Sequence, residues 1–138
     1  MNAYSKSWTQ KVVSEIGKDW TQFSTPMSLK IKEDTQSVIF ISANLAFNNG
    51  HRREIDKKHQ GSLYYRILVN GEKLVEYHVI DPSNENKKSD INLHAVSDIP
   101  AGESTVEVYY KTSKNGAWDL LEQQNRRELS VLSFPKLN

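Results

Sequence analysis

DIPAGESTVEVYYKTSKNGAWDLLEQQNRRELSVLSF, the stretch from Asp98 to Phe134, decides how this chain folds. It divides into a turn, a long strand, an irregular crossing segment and a closing strand. Pro100-Ala101-Gly102 makes the turn, because proline fixes φ and glycine tolerates a positive φ. From Ser104 the chain alternates: Val106, Val108 and Tyr110 point one way, Glu107, Tyr109 and Lys111 the other. Period two is the mark of a half-buried strand. Asn115-Gly116 leads into a second apolar piece, Ala117-Trp118-Asp119-Leu120-Leu121. Arg127 to Phe134 then closes the fold, with Leu129 and Val131 opposite Ser130, Leu132 and Phe134.

Working outward, the upstream strands follow the same rule. Pro26 opens Met27 to Lys32, with Met27, Leu29 and Ile31 facing in and Lys30 and Lys32 out; Glu33 to Gln36 turns the chain. Ser62 to Val69 sets Leu63, Tyr65, Ile67 and Val69 against Tyr64, Arg66 and Leu68. Asn70-Gly71 predicts a type I′ hairpin turn, which needs a positive φ at both central residues. Its partner strand runs from Lys73 to Ile80, with Leu74 and Val75 near its start, then Tyr77 and Val79 on one face and His78 and Ile80 on the other. Ile91 to Val96 sets Ile91, Leu93 and Ala95 against Asn92, His94 and Val96. Met1 to Thr25 is mixed. Val12, Val13, Ile16 and Trp20 have roughly helical spacing, but Ser, Thr, β-branched residues and Gly17 favour extended structure.

Ser37 to Phe47, SVIFISANLAF, departs from this rule. Val38, Phe40 and Ser42 lie on one face, Ile39, Ile41, Ala43, Leu45 and Phe47 on the other, and both faces are apolar. An antiparallel strand with one wet face alternates more cleanly. Either this strand is central and covered on both sides within one chain, or one of its faces packs against another subunit.

Two polar loops, Asn48 to Gly61 and Asp81 to Asp90, separate the strands. With no repeat, low-complexity tract or linker, residues 1–138 read as one domain. About eight to ten strands, with turn signals every 8–12 residues or so, predict an all-β, antiparallel β-sandwich of jelly-roll-like form.

The 138 residues suffice for a real core, and 37% hydrophobic with 25% charged residues is an ordinary balance. A formal net charge of +1 supplies no global field for nucleic acid or an anionic membrane, so neither is an expected partner. The absence of cysteine excludes disulfides, thiolate metal sites and a cysteine nucleophile. No stretch approaches the ~18 consecutive apolar residues of a transmembrane helix. The N-terminal MNAYSKSWTQK lacks the apolar core of a signal peptide. These features leave the compartment open: cytoplasmic at synthesis, surface-exposed by another route, or associated with a virion or fibre. A piece cut from a longer chain would read the same.

Five stretches together resemble small bacterial and phage β-domains: DWTQFSTPMSLKI (Asp19 to Ile31), SVIFISANLAF, SLYYRILVNGEKL (Ser62 to Leu74), DIPAGESTVEVYY and NRRELSVLSFP (Asn125 to Pro135). The layout is similar to jelly rolls of the tumour necrosis factor and complement C1q type, found at the tips of bacterial and viral fibres. The resemblance covers most of the chain from about residue 19. It implies a homotrimer packed through an apolar sheet face, with outer loops meeting a surface carbohydrate or receptor protein. Phe40, Leu132 and Phe134 are the expected interface residues. The resemblance carries no catalytic set and implies no cofactor.

Candidate ligand contacts follow from residue chemistry. Arg52, Arg53, Lys57 and His59 lie in a loop that also holds His51 and Lys58. Arginine offers a planar fork to sialic acid, sulfated or phosphorylated glycans, or lipopolysaccharide phosphates. Glu54 and Asp56 partly neutralise that loop, which also reads as merely solvated. Trp118 beside Asp119 matches a sugar-stacking pair, though Leu120 and Leu121 equally suit a core or interface tryptophan. Asp81, Asn84, Glu85 and Asp90 lack calcium-loop spacing, and Lys87 and Lys88 oppose a cation there. His51, His59, His78 and His94 have no helical zinc spacing; His78 and His94 could meet only across a sheet. No metal is therefore expected. Catalytic motifs are missing, and Glu107, Asp119 and Glu122 are only formal candidates for a glycosidase pair. The expectation is a non-enzymatic binding or attachment module; the alternatives are a structural subunit of a particle, fibre or secretion apparatus and, more remotely, a small glycoside hydrolase.

Overall fold

The computed structural model describes residues 1–8, 19–20, 27–49, 63–79, 87–112, 118–120 and 127–137. Among them are nine strands: β1 (Asn2–Trp8), β2 (Met27–Glu33), β3 (Ser37–Asn49), β4 (Leu63–Val69), β5 (Glu72–Val79), β6 (Lys87–Ile99), β7 (Gly102–Thr112), β8 (Trp118–Leu120) and β9 (Arg127–Pro135). They form two antiparallel sheets, packed as a sandwich. The first has the order β1-β9-β3-β6, the second β2-β7-β4-β5. β8 joins the first sheet beside β3, where Phe47 to Asn49 pair with Leu120 to Trp118, beyond the last β3–β9 pair, Asn44 with Glu128. The chain crosses between sheets at most of its connections, which is the jelly-roll pattern the spacing predicted.

Alternation places the core. Met27, Leu29 and Ile31 of β2, and Val106, Val108 and Tyr110 of β7, are buried between the sheets as expected. They meet Ile39, Ile41, Ala43 and Leu45 of β3 and Leu129 and Val131 of β9. Desolvation raises the Tyr110 hydroxyl and lowers the Arg127 guanidinium, the two groups opposing each other's shift.

The Asn70-Gly71 turn is as predicted, with φ of 53° and 81° and Val69 paired to Glu72. Asn70 also ties the hairpin to β7: its backbone N–H donates to the Thr105 carbonyl at 2.9 Å, and its Oδ1 accepts from the Thr105 N–H at 2.9 Å. Just beyond, the register shifts: Leu68 pairs with Lys73 but Ile67 with Val75. The bulge leaves Leu74 without an opposite residue. Consecutive Leu74 and Val75 can then both pack against the core, which a regular strand forbids.

Both open edges of the sandwich are fastened by tyrosines. At one, the Tyr4 hydroxyl lies 2.7 Å from the Lys32 carbonyl and 2.9 Å from Glu33 Oε2, while Asn2 Nδ2 donates to the same carboxylate at 2.8 Å. At the other, the Tyr77 hydroxyl donates to the His94 carbonyl.

The bounds of two loops need correction. Asn48 and Asn49, and Lys87 to Asp90, read as loop, lie in β3 and β6, because Asn49 to Ala46 pair with Lys87 to Asp90. Extended structure near the N-terminus is found at Asn2 to Trp8, an edge strand on β9; with Tyr4 and Trp8 packed against the core, its alternation is faint. Val12, Val13 and Ile16 lie outside the described residues.

Candidate functional site

Among the described residues the apolar second face of β3 is only partly covered. In register across the first sheet stand Ala3, Leu132, Phe40 and Val96. The next row holds Phe134 beside Val38 and Asp98. Phe40 is 47% exposed, Val96 54%, Leu132 42% and Phe134 38%. On the inner face of the same strands Ile39, Ala43, Leu129 and Val131 are fully buried. Soluble chains scatter exposed apolar residues singly; a contiguous row of this kind is a candidate contact surface. Four such side chains present on the order of 300 Å² of apolar surface. A standard interface buries about 800 Å² per partner, so the polar rows alongside must complete any contact. Those rows are Ser5, Ser130, Ser42 and His94 on one side, and the ion pair of Asp98 with Lys136 (3.0 Å) at the other.

The outer face of the second sheet has the opposite character. Tyr64 of β4 stands between His78 of β5 and Lys111 of β7, and Arg66 between Glu76 and Tyr109. The Tyr64 and His78 rings are stacked, 4.4 Å apart and 10° from parallel. Trp20 comes to this face from far along the sequence: the Arg66 guanidinium lies 4.3 Å and the Lys111 ammonium 4.8 Å from its ring centre. Lys111 is also 5.3 Å from the Tyr64 ring, within cation–π range of both.

Between the β5 and β6 edges a cleft of about 310 Å³ is lined by Asn70, Glu72, Lys73, Leu74, Asp98 and neighbours. Its polar groups are largely engaged: Asn70 bonds to β7 and Asp98 to Lys136.

Of the residues singled out in the sequence, Phe40, Leu132 and Phe134 come together. Arg52, Arg53, Lys57 and His59 lie outside the described residues. Trp118 and Asp119 belong to a strand, opposite Asn49 and Asn48. Of the formal carboxylate candidates, Glu107 is on the second sheet and Asp119 on the first, while Glu122 lies outside the described residues. His78 and His94 belong to different sheets, and among the described residues no three metal-ligating side chains converge. No helix of the described residues is long and apolar enough to cross a membrane. Val96 was missed as an interface candidate, although its out-facing position was legible. The outward set on the second sheet was also missed; aromatics at polar-face positions were its signal.

No protein-family pattern matches the chain, and no curated protein matches its sequence. Solved structures do match in fold. Eiger, a tumour necrosis factor of S. frugiperda, superposes with a TM-score of 0.52 at 8% identity, over 99% of this chain and 95% of that one. VP2 of the infectious bursal disease virus subviral particle gives 0.50 at 12% identity, over 96% of this chain and 33% of that one. Dimeric latent PorU of Porphyromonas gingivalis gives 0.48 at 15% identity, over 94% of this chain and 12% of that one. The chain thus spans a third of VP2 and about an eighth of PorU. At these identities the likeness to Eiger and VP2 is one of fold alone. It agrees with the jelly-roll resemblance read from the sequence and assigns no ligand.

Proposed function

We propose that this protein is a non-enzymatic attachment module that assembles as a homotrimer through the outer face of the β1-β9-β3-β6 sheet. The rest of its surface meets a surface carbohydrate or a receptor protein, as at a fibre tip. The observation that carries the reading is the half-exposed row of Phe40, Val96 and Leu132, backed by Phe134, on a sheet whose other face is filled. Two further copies of the same chain cover such a row without any added partner. The number three follows from the resemblance to trimeric jelly rolls. Three weak sites at mM affinity, engaging one surface together, gain about 10²- to 10⁴-fold.

The test is solution mass by light scattering on a sizing column. The expected mass is three chains for the parent and one for Phe40→Glu, with the strand signature of circular dichroism retained. A buried unpaired carboxylate costs several kcal/mol in the interface but little on a wet face. A parent mass of one chain overturns the assembly. A mass that keeps growing with concentration instead describes an open-ended structural subunit.

A further inference from the structure

We propose that the outer face of the β2-β7-β4-β5 sheet is a binding platform for a carboxylate-bearing saccharide. The inference rests on the chain being a binding module, but not on its being a trimer.

The grid has the size and chemistry for a sugar. Neighbouring strands lie about 4.8 Å apart and same-face residues about 7 Å apart along a strand, so Tyr64, His78, Arg66 and Lys111 span one or two sugar rings. Aromatic faces suit the C–H face of a pyranose. The Tyr64–His78 stack offers one, with His78 exposed and Tyr64 half-buried. Glu76, exposed beside Arg66, can accept hydroxyl hydrogen bonds.

The cations point to an acidic ligand. Lys30, on the same face, is paired with Glu103 at 3.8 Å. Arg66 and Lys111 make no ion pair among the described residues; both lie against rings instead. Arg66 Nε is buried, so a ligand would meet the terminal guanidinium nitrogens, and a carboxylate is their strongest acceptor. Glu76 and Glu107 on the same face, with a net charge of only +1, disfavour a polyphosphate chain. The platform also lies on the opposite side of the sandwich from Phe40 and Leu132. Assembly through that row turns three platforms outward.

The probes are trigalacturonate and sialyllactose, with lactose as the neutral control and oligodeoxythymidine as the polyphosphate control. Titration of the full chain, followed by amide chemical shifts, should show one of the acidic sugars binding at least tenfold tighter than lactose. Shifts should concentrate at residues 64–66, 76–78 and 109–111, and affinity should fall with salt. Lys111→Gln should weaken acidic binding about tenfold, and His78→Ala, at an exposed position, should weaken it with the unfolding midpoint kept. Shift mapping on the parent answers the question even if a variant fails to fold. Equal affinity for lactose, preference for oligodeoxythymidine, shifts elsewhere, or no binding by any probe overturns the platform. Binding mapped to other residues would overturn it while leaving the attachment reading intact; a failed trimer test would leave the platform untouched.

Discussion

Phe40 and Phe134 meet edge to face, ring centroids 5.6 Å apart, on the outside of a sheet whose inner face is buried. Within one chain such a pair contributes about 0.5–1.5 kcal/mol beyond its area. Covered by other copies, the same rings contribute to association, which links stability to concentration. Phe134→Ser should therefore lower the unfolding midpoint modestly and abolish its rise with protein concentration. The measurement is thermal unfolding of parent and variant across a hundredfold range of concentration. A parent midpoint that does not move with concentration would contradict the shared interface.

Ile39 precedes Phe40 in the chain and faces the other way, with no exposed surface. Ile39→Ala should cost about 2–5 kcal/mol, the range for a large core side chain cut to a methyl. Urea unfolding should show that loss equally at low and high concentration. Adjacent residues on one strand then report two surfaces, one internal and one assigned to the proposed assembly.

The division between those faces was legible in the sequence, because the period of a strand is two and both faces of Ser37 to Phe47 are apolar. What covers the second face was open, since burial by the same chain and by another chain leave the same pattern. In the structure Phe40 and Val96 stay about half exposed, so the described residues leave that face only partly covered. The second-sheet platform was hidden for another reason. Its members come from β4, β5 and β7, and Trp20 joins them from 44 positions before Tyr64 in the numbering. Local periodicity places each residue on the outer face but not beside its partners. The Leu74 bulge was similarly invisible, because two adjacent apolar residues signal a break in alternation without saying how the backbone accommodates it.

Gly71 holds φ at 81°, and a Cβ added there would meet nothing within 4 Å. The cost of Gly71→Ala is thus backbone conformation alone, about 1–2 kcal/mol for a left-handed residue. Chemical denaturation should show a loss of that size with an unchanged denaturant slope. A neutral result would mean the turn relaxes to another type, and loss of the Asn70–Thr105 bonds in amide exchange would report it.

Glu33 fastens β2 to the edge of the first sheet, and its titration should be visible in stability. The buried Ser133 hydroxyl turned toward it, though short of full hydrogen-bond geometry, contributes most to holding its carboxyl below the usual carboxylate range. The bonds from Asn2 and Tyr4 add to this, while desolvation opposes it. A group whose folded pKa is depressed stabilises the fold above its unfolded pKa, about 4.3 for glutamate. That contribution is lost as pH falls through the folded value. Glu33→Gln cannot titrate and leaves Tyr4 and Asn2 facing an amide. The variant should be less stable than the parent at pH 7, and the gap should close as pH drops below about 4. Urea midpoints from pH 7 to pH 2.5 measure this directly. A gap that stays constant across the range would show that Glu33 acts through packing rather than through its charge.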